Sequence, residues 1–151
     1  GNTSAVFAAN VICHIPELNN LIKTLDKLLT KDGVFIFEEP YLGSMFEKTS
    51  YDQIYDEHIY MFSVSSIKKI FKKFNFELID VIEQKTHGGS MRYVLARTNV
   101  YKVNSSVKKK LKYEVKNNIH NFCTLSTHPC APIPRDTSYI PVRDVTLATK
   151  G

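Results

Sequence analysis

The sequence predicts an α/β fold: a mostly parallel sheet with an antiparallel edge strand, followed by a basic helix and an irregular tail. Three observations carry this reading. Residues 5–9 (AVFAA) and 34–37 (VFIF) are short apolar runs of the kind found in strands buried on both faces. Between them Leu18, Leu21, Ile22, Leu25, Leu28 and Leu29 recur at three- and four-residue spacing, the apolar stripe of an amphipathic helix. Strand, helix and strand joined by short connections is the βαβ order, which sets two parallel strands in one sheet.

Residues 10–16 form a polar connection, and Gly33 is well placed to stop the helix. The second apolar run closes on Glu38, Glu39 and Pro40, and residues 40–60 show no clean periodicity. Ser63, Ser65 or Ser66 would cap the next helix. That helix sets Ile67, Ile70, Phe71 and Phe74 on one face and Lys68, Lys69, Lys72 and Lys73 on the other. Residues 76–84 (FELIDVIEQ) alternate as a strand does, 86–90 (THGGS) read as a turn, and 91–97 (MRYVLAR) as a second strand; such a pair makes an antiparallel sheet edge. Val107, Leu111, Val115 and Ile119 then recur every four residues among Lys108, Lys109, Lys110, Lys112 and Lys116, a helix with a solvated basic face. From residue 121 neither period is sustained, and Pro129, Pro132, Pro134 and Pro141 fall there. Cys123 and Cys130 flank His128, but a zinc site wants four ligands at short paired spacings. The segment reads instead as a linker, an irregular extension or a tail foreign to the original reading frame.

The 151 residues fit one domain with a real core. A hydrophobic share of 43% and a charged share of 23% are those of a globular protein. A formal charge of +5 suits an anionic ligand without demanding nucleic acid, whose binding stripe would interleave aromatics and arginine with the lysines. Three cysteines with no repeating framework point to a reducing cytoplasm. No apolar run approaches the roughly 20 residues of a membrane span, and no signal peptide opens the chain. The first residue is Gly1 and a hydrophobic run follows almost at once, as in a piece of a longer protein.

The chemistry concentrates at residues 51–63 (YDQIYDEHIYMFS), where Tyr55, Glu57, His58 and Tyr60 lie within six positions. On an extended backbone Tyr55 and Glu57 share one side, and His58 and Tyr60 the other. On residue chemistry alone the alternatives stay open. His14 suits a helix entry or a surface, His58 is a histidine beside a carboxylate, His87 next to two glycines suits a turn, and Tyr60, Met61 and Phe62 suit core packing. Cys13 reads as a small buried residue, and His120 and His128 take no role.

LLTKDGVFIFEEPYL resembles the segment that joins the fourth helix to the fifth strand of class I S-adenosylmethionine-dependent methyltransferases. With AANVICHIPELNN, FEEPYL, YDQIYDEHIYMFS and THGGSMR in that order, the chain resembles the sugar C-methyltransferase family from about residue 6 to residue 97. The resemblance implies a Rossmann-like sheet of which residues 1–97 are the C-terminal half, with 98–120 opening the family's C-terminal domain and 121–151 unassigned. It implies S-adenosylmethionine as cofactor and a nucleotide-linked 4-keto deoxysugar as substrate, methylated on carbon. A zinc-binding domain and the glycine-rich first half of the methyltransferase domain precede this part in the family. Among the six glycines here only Gly88 and Gly89 are adjacent, too late in the order to be that glycine-rich turn.

Methylation beside a ketone needs a base for the alpha proton, typically worth about 10²- to 10⁴-fold. It also needs a donor for the developing oxyanion, worth on the order of 3 kcal/mol. Histidine, with an unperturbed pKa near 6.5, suits the base role. The resemblance implies His58 as that base, Tyr55 and Glu57 as its active-site neighbours, and His14 on the opposite wall. Asn10 would lie near the cofactor's methyl end, and His87 and Ser90 would shape the sugar pocket. Two rival readings are a ketosugar epimerase or isomerase, which shares the proton abstraction, and an inactive fragment or anion-binding module.

Overall fold

The two early apolar runs meet as parallel neighbours of one sheet. The computed structural model describes residues 1–50 and 58–120. Strand β1 (Thr3–Ala9) pairs with β2 (Leu29–Pro40), Val6 opposite Phe35 and Ala8 opposite Phe37, and helix α1 (Leu18–Leu28) connects them. Alternation along a strand sends Phe35 and Phe37 to the same face, where they join Leu18, Ile22 and Leu25 of α1 in the buried core.

Helix α1 ends at Leu28, five residues before the glycine expected to stop it. Arg97 binds across this junction, satisfying the Asp26 carbonyl that the helix end leaves unpaired and the Thr30 carbonyl at the start of β2. Its guanidinium donates to the carbonyls of Asp26 and Thr30, both at 2.5 Å, and pairs with the Asp26 carboxylate at 2.8 Å. Gly33 serves β2 instead. The register jumps there from Thr3–Leu29 to Ala5–Val34, and a Cβ at 33 would lie 3.1 Å from both the Leu29 side chain and the Thr3 carbonyl oxygen. Glycine in a strand commonly marks such a close approach.

A short helix α2 (Leu42–Lys48) follows β2. Helix α3 (Val64–Lys72) starts at Ser63, whose Oγ accepts from the Ser66 N–H while its own N–H donates to Ser66 Oγ. This is a reciprocal capping box, so Ser63 is the cap among the three candidate serines. Ile67, Ile70 and Phe71 are buried and the four lysines exposed, as the periodicity indicates.

Strands β3 (Phe76–Gln84) and β4 (Ser90–Arg97) form a hairpin, and the sheet order is β1-β2-β4-β3. The α/β class and the mixed sheet are those the sequence indicates. The antiparallel strand, however, is not at the edge: β4 runs opposite to both β2 and β3. The helical crossover carries the chain one strand-width past β2, and the hairpin folds β4 back into the gap, where its backbone groups are paired on both sides. Phe37 centres the aromatic core, 4.8 Å from the Tyr93 ring, 5.2 Å from Phe35 and 6.0 Å from Phe71. Aromatic pairs in such arrangements add about 0.5–1.5 kcal/mol each beyond area burial.

Helix α4 (Ser105–Lys116) packs on β3 and α3. Val107 and Ile119 are buried but Val115 is 58% exposed, which corrects the every-fourth-residue stripe. A four-residue repeat drifts about 40° per step around a helix of 3.6 residues per turn, so 115 rotates outward and Glu114 takes the inward position, fully buried. Its carboxylate accepts from the N–H groups of Val64 (2.6 Å) and Ser65 (2.9 Å), at the start of α3, and from the Tyr41 hydroxyl (2.9 Å). Lys108, Lys109, Lys112 and Lys116 are exposed. Among the described residues no helix is long and apolar enough to cross a membrane.

Glu114→Ala leaves two amides and a hydroxyl buried without their acceptor. The expected loss is about 3 kcal/mol of unfolding free energy, with a smaller loss for Glu114→Gln. Urea unfolding followed by circular dichroism measures it, and an unchanged midpoint would contradict the clamp.

Candidate active site

The C-terminal ends of β1 and β2 and the β3–β4 turn meet at one edge of the sheet, the side on which open α/β folds bind ligands. Asn10 leaves β1 at φ +52°, and its N–H donates to the Glu38 carbonyl at 2.8 Å. The chain then makes a single 3₁₀ turn (Ile12–His14). Glu39 orders that turn: one carboxylate oxygen accepts from the N–H groups of Val11 (2.9 Å) and Ile12 (2.6 Å). The turn buries Ile12 and Cys13 and leaves His14 half-buried.

The segment that brings His58 is fixed to this same turn. The N–H groups of Ile59 and Tyr60 both donate to the Cys13 carbonyl, at 2.9 and 3.2 Å, and the Tyr60 hydroxyl donates to the Pro16 carbonyl at 2.7 Å. Tyr60 stacks on Phe62, and both are buried, as their core-packing reading anticipates. The result sets the His14 and His58 rings 5.0 Å apart, tilted by 54°. His58 is buried, at 4% exposure. Cys13 lies in the same cluster, one ligand atom from each of Cys13, His14 and His58 falling within 4.8 Å of the others. Burial, and then the neighbouring Glu39 carboxylate, push the Cys13 thiol far above its ordinary pKa.

The other wall is the turn at Thr86–Gly88. His87 sits at φ +48°, and its Nε2 lies 3.3 Å from Asn10 Nδ2. Gly89 takes φ +125°, where a Cβ would come within 2.6 Å of Ser44; glycine is required there. The turn is braced by Glu38, which accepts from the Thr86 hydroxyl at 3.2 Å and from two Arg92 nitrogens at 2.9 and 3.1 Å.

Of the residues singled out from the sequence, the structure brings His14 to His58 and Asn10 to His87. Ser90 is buried and donates to the Thr86 carbonyl at 3.2 Å, closing the turn. Tyr55 and Glu57 lie outside the described residues. Glu39 received no role in the sequence reading, and neither did the position of Cys13 among the histidines. The available signal was two acids, Glu38 and Glu39, ending an apolar strand next to Pro40. Chemically, two neighbouring imidazoles at a ligand-binding edge can hold and move a proton.

A family model described as a methyltransferase domain matches residues 1–81. Over 91 residues the chain is 31% identical to the C-methyltransferase NovU of Streptomyces niveus, an alignment covering 60% of this chain and 22% of that relative. The chain therefore spans less than a quarter of the curated relative it matches.

The raised Cys13 pKa has a definite sign for stability. Above the thiol's ordinary value of 9.0 the unfolded chain has lost this proton and the folded one retains it. Its contribution is therefore complete below that pH and is lost as pH rises beyond it. Urea unfolding at about pH 8 and about pH 10 is expected to show this decline, and Cys13→Ala to flatten it. The flattening is partial because the buried Tyr41 hydroxyl, also pushed upward, contributes in the same direction. An identical decline in both proteins would refute it.

Proposed function

The chain belongs to the methyltransferase-domain family, and on that premise we propose that it is part of an S-adenosylmethionine-dependent C-methyltransferase. Its acceptor is the carbon alpha to the ketone of a nucleotide-linked 4-keto deoxysugar. The observation that carries this reading is the His14–His58 pair at the C-terminal edge of the parallel strands. The carbon acceptor is supported by the relative's description as a C-methyltransferase. The activity is assigned to the longer protein of which such a chain is one part.

The edge fits the methionine end of the cofactor. Asn10, half-buried at the tip of β1, offers both a donor and an acceptor. When bound, S-adenosylmethionine supplies an electrophilic methyl on a positively charged sulfur. Within the chain, His58 removes the alpha proton onto its ring nitrogen. His14, on the facing wall, holds the carbonyl oxygen as charge develops. Tyr55 and Glu57, which lie outside the described residues, keep the supporting active-site roles that the family resemblance implies. His87, tied to Asn10, shapes the sugar side, with Ser90 behind it closing the turn. In this reading residues 1–97 are the C-terminal half of the methyltransferase domain, and 98–120 begin the next part.

With the full-length protein, labelled methyl from S-adenosylmethionine is expected on carbon of a 4-ketosugar nucleotide. His58→Ala or His58→Asn should lower that rate at least about 10²-fold with acceptor affinity retained. Full activity in His58→Asn removes the base assignment. Deuterium wash-in at the alpha carbon without methyl transfer would identify an epimerase instead. The isolated 151 residues are expected to show no measurable turnover. Orienting two reactants accounts for about 7–11 kcal/mol of such a barrier, and the glycine-rich cofactor turn is not among these residues.

A further inference from the structure

We propose that Cys13, His14 and His58 together form a binding site for a borderline-soft divalent cation of the zinc class. One sulfur and two imidazole nitrogens lie within 4.8 Å of one another, and thiolate with imidazole is the donor set such ions select. In a tetrahedral site, with Zn–S near 2.3 Å and Zn–N near 2.0 Å, ligand atoms stand about 3.5 Å apart. The three donors thus need to close by about 1 Å, a small rotation of two imidazoles. The backbone already fixes the approach, since Cys13 and His14 are adjacent and His58 precedes the two amides bound to the Cys13 carbonyl.

A second observation points to a cation independently of the donor cluster. Glu39 is fully buried; one of its oxygens is bound by the Val11 and Ile12 amides, and the other, Oε2, has no hydrogen-bond partner among the described residues. This carboxylate adjoins the Cys13 thiol. A buried carboxylate oxygen lacking a partner is costly. The charges also close: a divalent ion balances one thiolate and one carboxylate. Binding releases the Cys13 proton to solvent. Three protein donors leave the fourth position to water, and half-buried His14 is the side of entry. An ion held here occupies the His58 nitrogen that would take a substrate proton, so the cation-bound and base-competent states exclude each other.

The test is titration of the 151-residue protein with Co²⁺ under a thiol-free reductant. One equivalent should produce a thiolate-to-cobalt charge-transfer band together with the visible bands of a four-coordinate ion, both erased by Zn²⁺. Because Cys123 and Cys130 are also present, the double variant Cys123→Ser/Cys130→Ser must keep the signal. Cys13→Ser should abolish the charge-transfer band, and His14→Gln should weaken cobalt binding by at least about tenfold. No band, a band surviving Cys13→Ser, or one lost in the double variant overturns the proposal. Should Cys13→Ser fail to fold, peptide-resolved alkylation of the unaltered protein decides: Zn²⁺ should slow modification of Cys13 at least about tenfold, and an unchanged rate counts against the site. These spectra require neither methyl donor nor acceptor. Their failure leaves the methyltransferase reading in place, and an inactive protein with an intact cobalt band leaves this one standing.

Discussion

A buried carboxylate beneath two backbone amides holds the candidate site together. Along β2 the inward positions are Phe35, Phe37 and Glu39, so the acid occupies the place where the strand's alternation would next put an apolar side chain. It is tolerated there because one of its oxygens accepts from Val11 and Ile12, and hydrogen bonds to a charged acceptor contribute about 1.5–3 kcal/mol each. The clamp fixes the turn that carries Cys13 and His14. The Cys13 carbonyl then fixes Ile59 and Tyr60, and with them His58. The distance between the two imidazoles is therefore a consequence of main-chain geometry that begins at Glu39.

The same device recurs on the other side of the core. Glu114 reaches from α4 to the first amides of α3, placing a carboxylate where unpaired N–H groups and the helix dipole favour an anion. Surface ion pairs are weaker contributors. Asp26, paired with Arg97, is 53% exposed on its side chain, and exposed pairs are worth about 0–1 kcal/mol. Arg97 matters more for the Asp26 and Thr30 carbonyls it binds, joining the end of α1 to the start of β2, than for that ion pair. Two buried acids bonded to main chain make the stronger links, Glu39 joining β2 to the turn after β1 and Glu114 joining α4 to α3.

Local pattern made much of this fold legible. The strand at residues 76–84 was readable from alternation, and the buried face of α3 from helical spacing. What the pattern did not carry is nonlocal. Gly33 looks like a helix stop until the Thr3–Leu29 pairing is known, because its role is a close approach between strands. Glu114 looks like a solvated acid on a lysine-rich helix, because nothing near it in sequence reveals the amides of Val64 and Ser65. The hairpin was evident, but its insertion beside β2 depends on where the preceding crossover ends. His14 and His58 are 44 positions apart, and the bonds joining their segments run through backbone atoms, which leave no trace in residue identity. Family resemblance put the two histidines in one site, whereas Cys13 and Glu39 carry no comparable mark.

The site is consequently built to two different standards. His58, Cys13 and Glu39 are buried, with neighbouring amides and carbonyls bonded into the main-chain scaffold, so the groups suited to proton or cation chemistry are positioned before any ligand arrives. Asn10 and His87, at the rim, meet through one 3.3 Å contact, and both hold left-handed backbone conformations. Asparagine and histidine are among the residues that tolerate that region best, yet non-glycine residues there still carry a cost that surrounding contacts must offset. The backbone on each side is held separately, Asn10 by the Glu38 carbonyl and the 86–88 turn by the Glu38 carboxylate and Ser90. The backbone that carries His14 and His58 is held by the Cys13 carbonyl, so the segments bearing the two rings are fixed to one another.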